Sequence, residues 1–104
     1  MTHREFQLNT PEGGTNVHFN INGNGIDVVI TTVQVHSNFK SGLPNSPELE
    51  WNPEAGKWML AGYYNKDVNG TPTKVREFIN TELSNQIVDK IMEIKEEETP
   101  KFTK

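Results

Sequence analysis

The chain has 104 residues, enough for one domain whose core can support folding on its own. A net charge of −4 and a pI near 5.3, with acidic and basic residues interspersed, argue against a nucleic-acid partner, whose binding rests on lysine and arginine at phosphates. Cysteine is absent, which excludes disulfides, thiolate catalysis and cysteine-ligated zinc.

No run of about 18 apolar residues occurs, so no membrane partner is expected. The opening residues, Met1-Thr2-His3-Arg4-Glu5-Phe6, lack the apolar stretch of a secretion signal, and the expected location is cytoplasmic. Asn and Thr are abundant while Ala and Arg are scarce, the bias of AT-rich coding sequence in a low-GC bacterium or its phage.

In chain order, residues 3–9 alternate weakly around Phe6 and Leu8, and Thr10-Pro11-Glu12-Gly13-Gly14 breaks the run, which predicts a short first strand. Val17, Phe19 and Ile21 then alternate with His18, Asn20 and Asn22, the period of a strand with one buried face. Asn22-Gly23-Asn24-Gly25 turns the chain into Ile26, Val28 and Ile30. Gly23-Asn24 suits a type II′ turn and Asn24-Gly25 a type I′ turn, so the hairpin has two possible registers.

Val33 and Val35 are out of phase with Ile26, Val28 and Ile30. A β-bulge near Thr31-Thr32 would put all of them on one face; without it, Val29, Val33 and Val35 would form a stripe on the other side. Residues 37–47, with Gly42, Pro44 and Pro47, read as a loop.

The segment from Leu49 to Leu60 contains Trp51-Asn52-Pro53-Glu54-Ala55-Gly56-Lys57-Trp58, in which Asn52 opens a turn, Pro53 presets φ and Gly56 takes the left-handed position. These eight residues resemble the loop of designed tryptophan-paired hairpin peptides, departing at Glu54 and Ala55. The resemblance implies a stable hairpin. Pairing Trp51 with Trp58 sets Leu49, Trp51, Trp58 and Leu60 on the expected core face, and Glu48, Glu50, Met59, Ala61 and Tyr63 on the other.

Thr71 and Pro72 suit a helix cap and first helical position, and Val75, Phe78, Ile79, Leu83, Ile87, Ile91 and Ile94 follow at spacings of three and four. They predict a helix over residues 72 to about 97, roughly 39 Å long, with a kink or break at Ser84-Asn85-Gln86 as a possible relief. Val88 and Met92 add a second apolar row beside the main stripe.

The expected architecture is therefore one α+β domain: strands within residues 1–65 forming an antiparallel sheet of four to six strands, covered on one face by the long helix of residues 72–97, then a flexible tail over 98–104. A small barrel capped by the helix, as in pleckstrin-homology-like folds, is the alternative.

No constellation points to catalysis. His3, His18 and His36 read as solvated or edge histidines, because either hairpin register sets His18 opposite Val29 or Thr31 rather than His36; no metal or other cofactor is expected. Glu48 and Glu50 share one strand face, whereas glycoside hydrolysis needs carboxylates across a cleft. The glycine-containing turns lack the Gly-Lys-Ser/Thr element of a phosphate loop.

The expected function is a small non-enzymatic module that binds a protein partner, as an inhibitor or accessory factor of a phage or mobile element. The alternatives are a small-ligand or nucleotide binder with its pocket at an oligomer interface, and a compact hydrolase. A homo-oligomer is expected through the sheet face away from the helix, with Glu48, Glu50, Met59, Tyr63, Val29, Val33 and Val35 as the candidate interface.

Overall fold

The computed structural model describes residues 2–23, 29–44 and 46–98. Six strands precede one helix: β1 (Thr2–Thr10), β2 (Gly13–Asn22), β3 (Val29–Ser37), β4 (Glu48–Asn52), β5 (Lys57–Val68), β6 (Thr71–Ile79) and α1 (Glu82–Glu98). The strands form two three-stranded antiparallel sheets, β1-β2-β3 and β4-β5-β6. The α+β class is as the patterning predicts, but the single sheet of four to six strands is not.

The division falls between β3 and β4, which lie near one another without a ladder between them. Two local features account for the break. His18 pairs with Gln34 and Asn20 with Thr31, so Thr32 and Val33 together face Phe19, and Thr32 takes φ 55°. This is the bulge expected near Thr31-Thr32, and a bulge bends its strand and turns the edge away from a neighbour. It opens onto a cleft of about 350 Å³ lined from the other side by residues 46–49. The loop before β4 adds the second feature, since Pro44 packs onto the backbone of β5 so closely that a Cβ at Gly62 would lie 2.5 Å from Pro44 Cγ.

Alternation decides what each sheet buries. Arg4, Phe6 and Leu8 of β1, Val17, Phe19 and Ile21 of β2, and Ile30, Val33 and Val35 of β3 face inward; His3, Glu5, His18, Asn20, Gln34 and His36 face out. In the first hairpin Asn22 pairs with Val29 and Ile21 with Ile30, a register that differs from both of those expected for the connection between β2 and β3. Most of that connection, residues 24–28, lies outside the described residues.

The second hairpin has the predicted register, with Trp51 opposite Trp58 and Asn52 opposite Lys57. Gly56 takes φ 68° and donates its N–H to the Asn52 carbonyl at 2.8 Å, while Asn52 Oδ1 accepts the N–H groups of Glu54 and Ala55 at 3.0 and 3.3 Å. Its core face is shorter than expected. Leu49 and Leu60 join the core, but Trp51 and Trp58 remain 48% and 39% exposed, stacked edge to face with centroids 5.9 Å apart and with Lys95 of α1 over Trp58.

The largest departure from expectation is β6, which occupies the first third of the predicted helix. Asn69 and Gly70, at φ 52° and 80°, form a two-residue turn that pairs Val68 with Thr71 and runs back along β5 as far as Ile79 opposite Leu60. Thr71, Thr73, Val75, Glu77 and Ile79 then share one sheet face, and the spacing of Val75, Phe78 and Ile79 is coincidental with a helix. Residues 65–72 of this hairpin are exposed throughout.

The helix begins at Glu82 after a reciprocal cap: Thr81 Oγ1 accepts the Ser84 N–H at 3.1 Å and Ser84 Oγ accepts the Thr81 N–H at 3.0 Å. Ser84-Asn85-Gln86 is thus the first turn rather than a kink. Seventeen residues span about 26 Å, which removes the misfit of a 39 Å helix on a small sheet. Glu98 belongs to the helix, and the remainder of the predicted tail, residues 99–104, lies outside the described residues.

Ile87, Val88, Ile91 and Ile94 are buried against inward residues of both sheets in one core, with Leu83 and Met92 packed at its margin. The second apolar row is needed because the helix meets two sheets rather than one.

Two outcomes follow for stability. Replacing Gly56 by Val puts a β-branched residue in the left-handed region and should cost at least about 1 kcal/mol, read as a lower urea midpoint. Ile87→Ala, at a site with no solvent exposure, should cost about 2–5 kcal/mol, and Leu83→Ala, at a half-buried site, clearly less in the same titration.

Candidate functional site

Each sheet leaves one face uncovered by the helix, and the two faces differ in chemistry. On β4-β5-β6 the register groups Glu48, Glu50, Met59, Ala61, Tyr63, Arg76 and Phe78 on the outward side. Arg76 sits opposite Tyr63 yet donates to Glu50 Oε2 and, at 2.8 Å, to Glu48 Oε2 on the far strand. Its side chain must cross β5 to do so. Met59 and Ala61 on the intervening strand are buried although they point away from the core, and Asn52 Nδ2 lies 3.3 Å from Met59 Sδ. The hydrogen bond to Glu50 first, then that to Glu48, raises the Arg76 pKa above the ordinary arginine value and keeps the guanidinium charged.

Tyr63 and Phe78 flank this bridge and stay 50% and 38% exposed. Lys74 stands over the Tyr63 ring at 5.0 Å. Of the candidate interface residues, Tyr63, Glu48 and Glu50 are grouped here. Met59 is buried at 2% exposure, and the bulge turns Val33 and Val35 into the core at 4% and 3%. Val29 is exposed, but on the other sheet.

The outward face of β1-β2-β3 is polar. It carries His3, Glu5 and Gln7 on β1, Asn16, His18 and Asn20 on β2, and Gln34 and His36 on β3. The three histidines expected as solvated or edge residues share this face, His3 and His36 exposed and His18 half-buried. Glu5 pairs directly with His18 across the β1–β2 ladder and His3 is its diagonal neighbour, while the bulge shifts β3 so that His36 lies diagonal to His18 on the other side. The His3 and His18 rings are 5.5 Å apart and the His18 and His36 rings 6.1 Å.

Polar contacts tie the group together. His18 Nδ1 lies 3.0 Å from Glu5 Oε2 and 3.4 Å from His3 Nε2, and His3 Nδ1 lies 3.2 Å from Asn20 Oδ1. The sequence signal was present in the i, i+2 pair His3 and Glu5, on a strand that leads through a tight turn to His18. It required the β1–β2 register to be read.

A third feature is a cleft of about 460 Å³ at the N-terminal end of α1, between the β1–β2 turn and the segment holding Phe39 and Lys40. Thr81 and Ser84 already cap the helix there. Among the described residues no helix is long and apolar enough to cross a membrane. Comparison with known proteins gives no match to a family model, to a curated protein or to a solved structure.

Proposed function

We propose that the chain is a small binding module that acts on a protein partner rather than by catalysis, docking through the outward face of β4-β5-β6. The observation that carries this reading is the pair of exposed rings, Tyr63 and Phe78, set on either side of an arginine already fixed by two carboxylates. Tyrosine, phenylalanine and arginine are enriched in the centres of protein interfaces, and rings on a sheet lose little side-chain entropy when covered. Arg76 enters such a contact preorganised. Its residual hydrogen-bonding capacity and the rims formed by Glu48, Glu50 and Lys74 would give the contact polar specificity. An inhibitor or accessory factor of a phage or mobile element is the setting that the composition suggests.

Sedimentation equilibrium at micromolar concentration, combined with recovery of partners from the native host, tests this. The expected outcome is an 11.8 kDa monomer that co-purifies stoichiometrically with one protein, and loses it on Tyr63→Lys or Phe78→Lys without loss of dispersed amide resonances. A homodimer that Tyr63→Lys dissociates would assign the face to a second copy of the chain and overturn the separate-partner reading. A partner retained by both variants would remove this face from the interaction.

A further inference from the structure

The histidine face of the first sheet brings three metal-ligand atoms around one point. One ligand atom from each of His3, Glu5 and His18 lies within 4.8 Å of the other two, and His18 Nδ1 is 3.0 Å from Glu5 Oε2 and 3.4 Å from His3 Nε2. The His3 tautomer is set by Asn20: its Oδ1 can only accept, so His3 Nδ1 carries the proton and Nε2 presents a lone pair toward His18. Glu5 presents a second acceptor to the same His18 nitrogen at 3.0 Å. A proton on His18 Nδ1 can serve both acceptors only by dividing one hydrogen bond between them. A cation between the three atoms meets every lone pair.

The spacing fits that cation. Tetrahedral zinc with bonds of about 2.0–2.1 Å separates two ligand nitrogens by about 3.3 Å, and His3 Nε2 lies 3.4 Å from His18 Nδ1. We propose that His3 Nε2, His18 Nδ1 and Glu5 bind one divalent transition-metal ion of the zinc class, with a remaining coordination position for water. Two imidazoles with one carboxylate suit such an ion, whereas magnesium and calcium take shells of oxygen. The field agrees: among the described outward residues of this sheet Glu5 is the only formally charged one, and no lysine or arginine points to that side.

Each ligand stands on a paired strand rather than a loop. His3 and Glu5 come from the edge strand β1 and His18 from its neighbour β2, so the ion would tie the edge of the sheet to its centre. His36 is outside the ligand set. Its ring stands edge-on to His18, with centroids 6.1 Å apart.

Calorimetric titration of the full chain with Zn²⁺ alone should show one ion per chain at micromolar affinity. His3→Ala, His18→Ala and Glu5→Gln should each weaken binding at least about tenfold, and Asn20→Ala about tenfold through loss of the tautomer lock. His36→Ala should leave affinity within about twofold, since it removes no ligand. Nitrogen-15 imidazole spectra should move at His3 Nε2 and His18 Nδ1, and Zn²⁺ should raise the melting temperature of the wild type but not of His18→Ala. Failure to take up Zn²⁺ at micromolar concentration overturns the proposal, as does a loss in His36→Ala equal to that in His18→Ala. All five positions are on the outward face, and amide spectra of each variant distinguish lost binding from lost folding.

Discussion

The arrangement depends on one core in which α1 packs with the inward residues of two sheets that have no ladder between them among the described residues. Backbone ladders hold each three-stranded sheet together, but only side chains hold one sheet to the other. Ile87 and Ile91, with no exposure, supply the centre of that contact, and Val88 and Ile94 widen it. Burial of each such side chain is worth about 1.5–3 kcal/mol, so a few helical residues supply a free energy comparable with the whole stability of a small domain.

This arrangement leaves both outer faces free of structural duty, and the sequence uses them differently. On the first sheet most outward positions are amides, imidazoles and one carboxylate, groups that coordinate and hydrogen-bond, with Val29 and Thr31 at one end of β3. On the second they are two rings around a clamped arginine. The bulge at Thr32 serves both. It turns Val33 and Val35 into the core, and it shifts β3 by one residue so that His36 comes beside His18.

The sequence was most legible where local chemistry and partner strand agreed. Asn52, Pro53 and Gly56 dictate one turn, and the tryptophan pair confirms its register, so the β4–β5 hairpin could be drawn residue by residue. The change of parity after Ile30 announced the bulge. At β6 the local signals conflicted: Thr71-Pro72 and the spacing of Val75, Phe78 and Ile79 suit a helix, while Asn69-Gly70 and the alternating Thr71, Thr73 and Val75 suit a strand. Pairing with a long β5 decided in favour of the strand, because the backbone groups of residues 71–79 that face β5 are then paired along its length.

By itself the sequence determined strands β2 and β3, the β4–β5 turn with its register and the apolar stripe of a terminal helix, because each follows from interactions over a few residues. Tertiary structure alone decided the division into two sheets, the burial of Met59 on the outward side of its strand, and the meeting of His3, Glu5 and His18. Those outcomes rest on register. A shift of one residue between strands would turn His18 toward the core and leave Glu5 opposite a different side chain, and no period within a single strand encodes which partner it meets.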